Sequence, residues 1–157
     1  MNERQLWRHT LATLAYRAAK AMRGAPSGFE TVSAGQGTRS AGEILAHLGD
    51  LFDWSTRMAD GDRTFHVSPP LEWNAGVARF FASLEAFDRR VADERPIPMP
   101  MELLFQGPIA DALTHIGQIS LLRRLAGSPV RGETYPLAKI EIGRIGLDQA
   151  APVREFD

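Results

Sequence analysis

Four stretches of the chain carry apolar residues at helical spacing, and segments rich in glycine, proline and serine separate them. The first predicted helix runs from about Glu3 to Met22, with Trp7, Leu11, Leu14, Ala18 and Met22 on one stripe, and Gly24, Pro26 and Gly28 end it. A polar loop over Ser33 to Thr38 leads to Ser40, and Glu43 three residues later completes a capping-box pattern. That box opens the second predicted helix, about Ala41 to Ala59, with Ile44, Leu48, Leu51, Phe52 and Ser55 inward and Gly61 as its stop. Pro69 and Pro70 precede the third. There Trp73, Val77, Phe80, Leu84, Phe87 and Val91 alternate spacings of four and three, a heptad seam closed by Pro96, Pro98 and Pro100. The fourth ends at Gly127 and Pro129, after the basic turn Arg123 and Arg124 that suits a helix C-terminus. Its start has two readings. Either Pro108 takes the first helical position and Met101 to Gln106 form a separate turn, or one kinked helix runs through the proline.

From Val130 to Asp157 glycine and proline interrupt every periodicity, and Ile140, Ile142 and a bulge-like Gly143 predict a short extended piece. Four amphipathic helices of this length bury one stripe each against a shared core. The predicted fold is therefore all-α: an up-down four-helix bundle over residues 1–128, with an irregular C-terminal extension over 129–157. The extension is expected to lie on the outside of the bundle or on a second copy of it.

Composition narrows the function without choosing it. A chain of 157 residues can bury a core without covalent staples. The net charge of −1 lacks the basic surplus of a protein that holds nucleic acid by phosphate neutralisation. There is no cysteine, which removes disulfides, thiolate ligands and a thiol nucleophile of the chain's own. No apolar run approaches the roughly 20 residues that span a bilayer, so no membrane partner is expected. Arg8, Arg17 and Lys20 interrupt Met1 to Arg23, which lacks the apolar centre of a signal peptide. A cytoplasmic location is the expectation.

The chemistry is expected in the fourth helix. Its seam reads Leu104, Pro108, Asp111, His115, Gln118, Leu122, Leu125, three polar residues inside a stripe with apolar ends, which predicts that they face the bundle. Asp111 and His115 are four apart and lie one above the other on one face. On the second helix His47 stands among Ile44, Leu51, Trp54 and Met58. Two facing helices thus bring three metal-competent groups together. An ionised carboxylate in an apolar core costs several kcal/mol unless paired, and a divalent cation shared by His47, Asp111 and His115 offsets that cost in one step. A buried polar network without metal, or a water-filled cavity, is the competing reading. Of the other histidines, His9 lies off its helix's stripe and His66 in a loop beside Phe65, both read as surface. Glu43 and Asp50, four before and three after His47, could reach the same region and support the ligands from outside; capping accounts more simply for Glu43 and solvation for Asp50. Gln118 is a candidate to orient a ligand or a metal-bound water. Trp54, Trp73 and the Phe80–Phe81 pair are read as core.

The segments Ala110 to Gly127, ADALTHIGQISLLRRLAG, and Glu43 to Trp54, EILAHLGDLFDW, resemble the last and second helices of the DinB/YfiT-like metalloenzyme family. The likeness covers roughly residues 1–128, and its most specific part is His-x-Gly-Gln at His115 to Gln118 followed by Leu-Arg-Arg-Leu. It implies a four-helix bundle, commonly a homodimer, with one metal ligand on the second helix and two, four residues apart, on the last. Carried onto this chain those are His47, Asp111 and His115. The common pattern has three histidines, so Asp111 is a departure that leaves zinc, nickel, iron or manganese open as the ion. The resemblance implies thiol-dependent transferases and isomerases, with a low-molecular-weight thiol as cosubstrate. Metal-assisted hydrolysis, and iron and oxygen chemistry on a two-histidine, one-carboxylate triad, are the alternatives. A non-catalytic metal or small-ligand carrier is the reading from a different class. No catalytic residue beyond the ligands is assigned.

Overall fold

The computed structural model describes all 157 residues and is a bundle of four long helical segments with a short, mostly irregular tail. Helix α1 (Glu3–Met22) starts at a capping box between Asn2 and Gln5 and buries Leu11, Leu14, Ala18 and Met22, while Trp7 is half-buried at its outer end. Gly24, at φ +63°, lets the chain leave it, and Phe29 folds back to stack edge-on against Trp73 at 4.7 Å. Helix α2 (Ala41–Ala59) begins at the predicted box, with the Ser40 hydroxyl accepting from the Glu43 N–H and the Glu43 carboxylate from the Ser40 N–H. Helix α3 (Trp73–Ala92) buries all six residues of its heptad seam.

The fourth segment is one continuous, locally widened helix. Helix α4 (Met101–Leu104) passes into a π-helical turn (Phe105–Ile109) and then into α5 (Ala110–Leu125). Pro108 explains the widening: it has no N–H to donate, its ring crowds the preceding turn, and a π-turn absorbs both defects without ending the helix. Of the two sequence readings, the helix running through the proline is the one formed.

Contacts along the helices give their directions. Arg79 near the start of α3 reaches Ala46 and Asp50 near the start of α2, and Arg90 near its end reaches Ala59 and Asp60 at the end of α2. These two helices therefore run parallel. Arg8 pairs with Asp88, so α1 opposes α3, while Trp7 on Phe105 and Arg123 on the Ala21 carbonyl set α1 parallel to the last segment. The all-α bundle expected from the stripes is present, but strict up-down alternation gives way to one crossover between α2 and α3. The 60–72 connection can make it, since an extended chain gains about 3.3 Å per residue and a helix only about 1.5 Å.

The tail lies along α1. Residues Gly132–Glu133 (β1) and Glu155–Phe156 (β2) form a two-residue antiparallel pair, which brings Glu133 into a buried position. The Glu133 carboxylate accepts from the Tyr16 hydroxyl at 2.7 Å and from Lys20 at 2.8 Å. Ile145 joins the core, and Arg17 lies over the Tyr135 ring. The extended piece expected at Ile140 to Gly143 is instead a turn, with Gly143 at φ +88°; the strand pairing uses the two ends of the tail, which no local pattern announces.

Candidate metal centre

His47 on α2 and Asp111 and His115 on α5 face one another where these helices pass. One ligand atom from each lies within 4.8 Å of the other two. The His47 Nε2 stands 3.1 Å from one carboxylate oxygen of Asp111, and the His115 Nε2 3.4 Å from the other. The two imidazole rings are 4.9 Å apart and nearly perpendicular. Two donors held at 2.0–2.1 Å by one tetrahedral ion are about 3.3 Å apart, so these spacings are those of a site a small cation can enter.

Gln118 supplies the detail that favours a cation. The Gln118 Oε1 accepts from the His115 Nδ1 at 2.7 Å, so a neutral imidazole here carries its proton on Nδ1 and turns its Nε2 toward Asp111. An imidazole lone pair and a carboxylate oxygen are both acceptors. Facing each other at 3.4 Å they repel unless a positive charge, a second proton or a metal ion, lies between them. Gln118, a sequence candidate for orienting a ligand or a metal-bound water, here hydrogen-bonds His115.

The site is at the rim of the bundle and not inside it. Asp111 is 45% exposed, His47 21% and His115 12%, and Gln118 lies on the surface. The buried face of α5 is Ala112, Ile116, Ile119 and Leu122, about one position round from the expected stripe, and Leu125 is exposed. Two effects rotate it. A helix turns every 3.6 residues, so a strict four-and-three stepping drifts by about 20° per heptad. The π-turn at Phe105–Ile109 adds further rotation before α5 begins. At this exposure the Asp111 carboxylate keeps much of its hydration and needs no cation to offset burial.

The other candidates fall elsewhere. His9, on α1, and His66, exposed in the 60–72 connection, contribute nothing to the group. Glu43 caps α2, as expected. Asp50 is not solvated: it is 3% exposed, accepts from Arg79 at 2.6 Å and from the Ser68 N–H at 2.9 Å, and so ties the crossover to α2. Burial alone would raise its carboxyl, but the Ser68 and Arg79 bonds outweigh that and hold it below its ordinary value. The same strap carries Phe65 over the site, edge-on to Trp54 at 5.4 Å and 6.1 Å from the His47 ring. Sequence reasoning passed over Phe65, whose place beside His47 depends on a loop path that periodicity does not encode.

Comparison with family models, curated proteins and solved structures returned no match. His47, Asp111 and His115 are nonetheless a group that could hold a metal ion. Two imidazoles and one carboxylate from two rigid helices are a donor set that suits a borderline divalent metal. No helix is long and apolar enough to cross a membrane.

Proposed function

We propose that this protein binds one divalent transition metal through His47, Asp111 and His115 and is a metal-dependent enzyme acting on a small molecule, with thiol transfer as its leading chemistry. The observation that carries the reading is the His115 Nε2 turned toward the Asp111 carboxylate while its Nδ1 is held by Gln118, with His47 completing the triangle. Zinc, nickel, iron and manganese all suit this donor set. Such an ion would supply Lewis acidity and favour the ionised, nucleophilic form of a thiol or a water. The chain's own residues do the rest: Gln118 holds the His115 tautomer, the α2 capping box fixes the start of the helix that carries His47, and Phe65 covers one side of the site. With no cysteine in the chain, the thiol comes from a cosubstrate. The likeness of the two ligand-bearing segments to DinB/YfiT-like metalloenzymes supports the same choice. The homodimer belongs to this proposal on that likeness alone, and sedimentation showing only monomer at micromolar concentration would remove it.

A hydrolase is the less favoured enzyme. Hydrolysis needs a group to protonate the departing fragment. Glu43 is committed to the cap and Asp50 to Arg79, so neither is free for that work. The same shortage gives a non-catalytic carrier of metal or small ligand its support.

Metal analysis of protein purified without added metal is the deciding measurement. About one equivalent of ion is expected, and its loss in Asp111→Ala and His115→Ala with folding intact. A metal content near zero that no added ion changes would end the reading. With the metal in place, activity across small thiols separates enzyme from carrier: uniform inactivity beside tight retention of another ligand decides for the carrier.

A further inference from the structure

Two clefts open beside the triad, and one side chain lines both. The first, of about 410 Å³, is bounded by Thr38, Arg39, Ile44, His115, Leu121 and Leu122. The second, of about 430 Å³, has Arg39, Glu43, His47, Asp50, Phe65 and Val67 in its walls. Arg39 is the single cationic residue of either wall. The acids that share a wall with it are already engaged: Asp50 with Arg79, and Glu43 with the Ser40 N–H. Its guanidinium is thus exposed at the mouth of the site without a carboxylate partner.

The two clefts differ in what they accept. The second has the carboxylates of Glu43 and Asp50 in its wall, which repel an anion. The first has no acidic residue, and Ile44, Leu121, Leu122 and Ala34 make half of its lining apolar. Its size falls in the range of about 300–1,000 Å³ usual for small-ligand sites. A planar guanidinium matches a carboxylate with two parallel hydrogen bonds. A phosphate dianion carries more charge than one arginine can balance.

From this arrangement we infer that the first cleft binds a small organic carboxylate, its carboxyl group on Arg39 and its apolar body over Ile44, Leu121 and Leu122. Resting on the metal reading, the far end of that ligand lies at His115, where a donor atom would meet the ion. Arg39 is then the residue that selects substrate by charge, while the triad selects by chemistry. The Gly35 and Gly37 backbones, at φ +131° and +82°, shape the loop that presents it, and the Thr38 hydroxyl is spent on the Gly35 carbonyl.

The test uses hexanoate, 1-hexanol and hexyl phosphate as probes, titrated into metal-free and zinc-loaded full-length protein and followed by methyl NMR. Hexanoate should shift the Ile44, Leu121 and Leu122 methyls in both forms and bind about tenfold more tightly than hexanol, the ratio expected for one charge-assisted pair. Arg39→Ala should erase that ratio and leave hexanol binding and zinc content unchanged, while Arg39→Lys keeps part of it. Equal binding of hexanoate and hexanol, a preference that survives Arg39→Ala, or tighter binding of hexyl phosphate overturns the proposal. Failure to take up zinc would end the metal reading alone, because the metal-free titration still decides the role of Arg39.

Discussion

Gln118 sits three residues after His115 on α5 and accepts from its Nδ1, so one amide decides which nitrogen faces Asp111. Removing such an outer partner of a ligating histidine typically costs metal affinity about 10–100-fold. Gln118→Ala is therefore expected to weaken zinc in a chelator competition by that factor, and Gln118→Glu, which keeps an acceptor in place, to weaken it far less. Asp50 makes a second prediction at this scale. Its folded-state carboxyl lies below the ordinary value of 3.8, so its contribution to stability is complete above that value and disappears as the pH falls through the lower one. Asp50→Asn should cost about 2–3 kcal/mol in urea unfolding at neutral pH, less than a fully buried pair because Arg79 remains a quarter exposed. Once the pH has fallen below that lowered value, wild type and variant should converge. A gap independent of pH would assign the cost to packing. Both residue types were visible in the sequence, but only contacts across 29 and 18 positions show what Asp50 does.

The helices themselves were largely legible. Ser40, Gly24 and Gly61 placed ends of α1 and α2, because each acts on the backbone within a few residues of itself, and prolines on both sides bracketed the heptad seam of α3. Ser40→Ala should lower unfolding stability by about 1 kcal/mol and leave metal content unchanged, since it touches only the start of α2. Glu43→Gln keeps an acceptor for the cap, and unaltered thiol-dependent turnover in that variant would confirm that Glu43 is no acid or base in the reaction. The last segment was less legible. A proline inside a helix either ends or deforms it, and the outcome depends on whether the flanking turns have neighbours to pack on. Here Leu104 and Ile109 are both fully buried, which holds the chain helical on either side of Pro108.

At the scale of the whole molecule, the tail is fastened to α1 by a carboxylate with no exposed surface, bonded to Tyr16 and Lys20. Burial and the Glu133 bond together push the Tyr16 hydroxyl well above its ordinary range, while for Lys20 burial opposes the charge and the Glu133 and Glu155 partners outweigh it. Breaking a buried pair by removing one partner costs roughly 3–5 kcal/mol, so Glu133→Ala should be strongly destabilising and open the tail to limited proteolysis. Zinc content of the folded fraction should not change, because the ligands stand on α2 and α5. What the amino-acid order decided alone is the set of helices and the three residues able to ligate, since capping, periodicity and donor chemistry act over one to four positions. Tertiary packing decided the rest: the parallel α2 and α3, the rotation of α5 that leaves the triad at the rim, and Arg39 at its mouth. Each depends on where distant segments come to lie, and local periodicity carries no record of that.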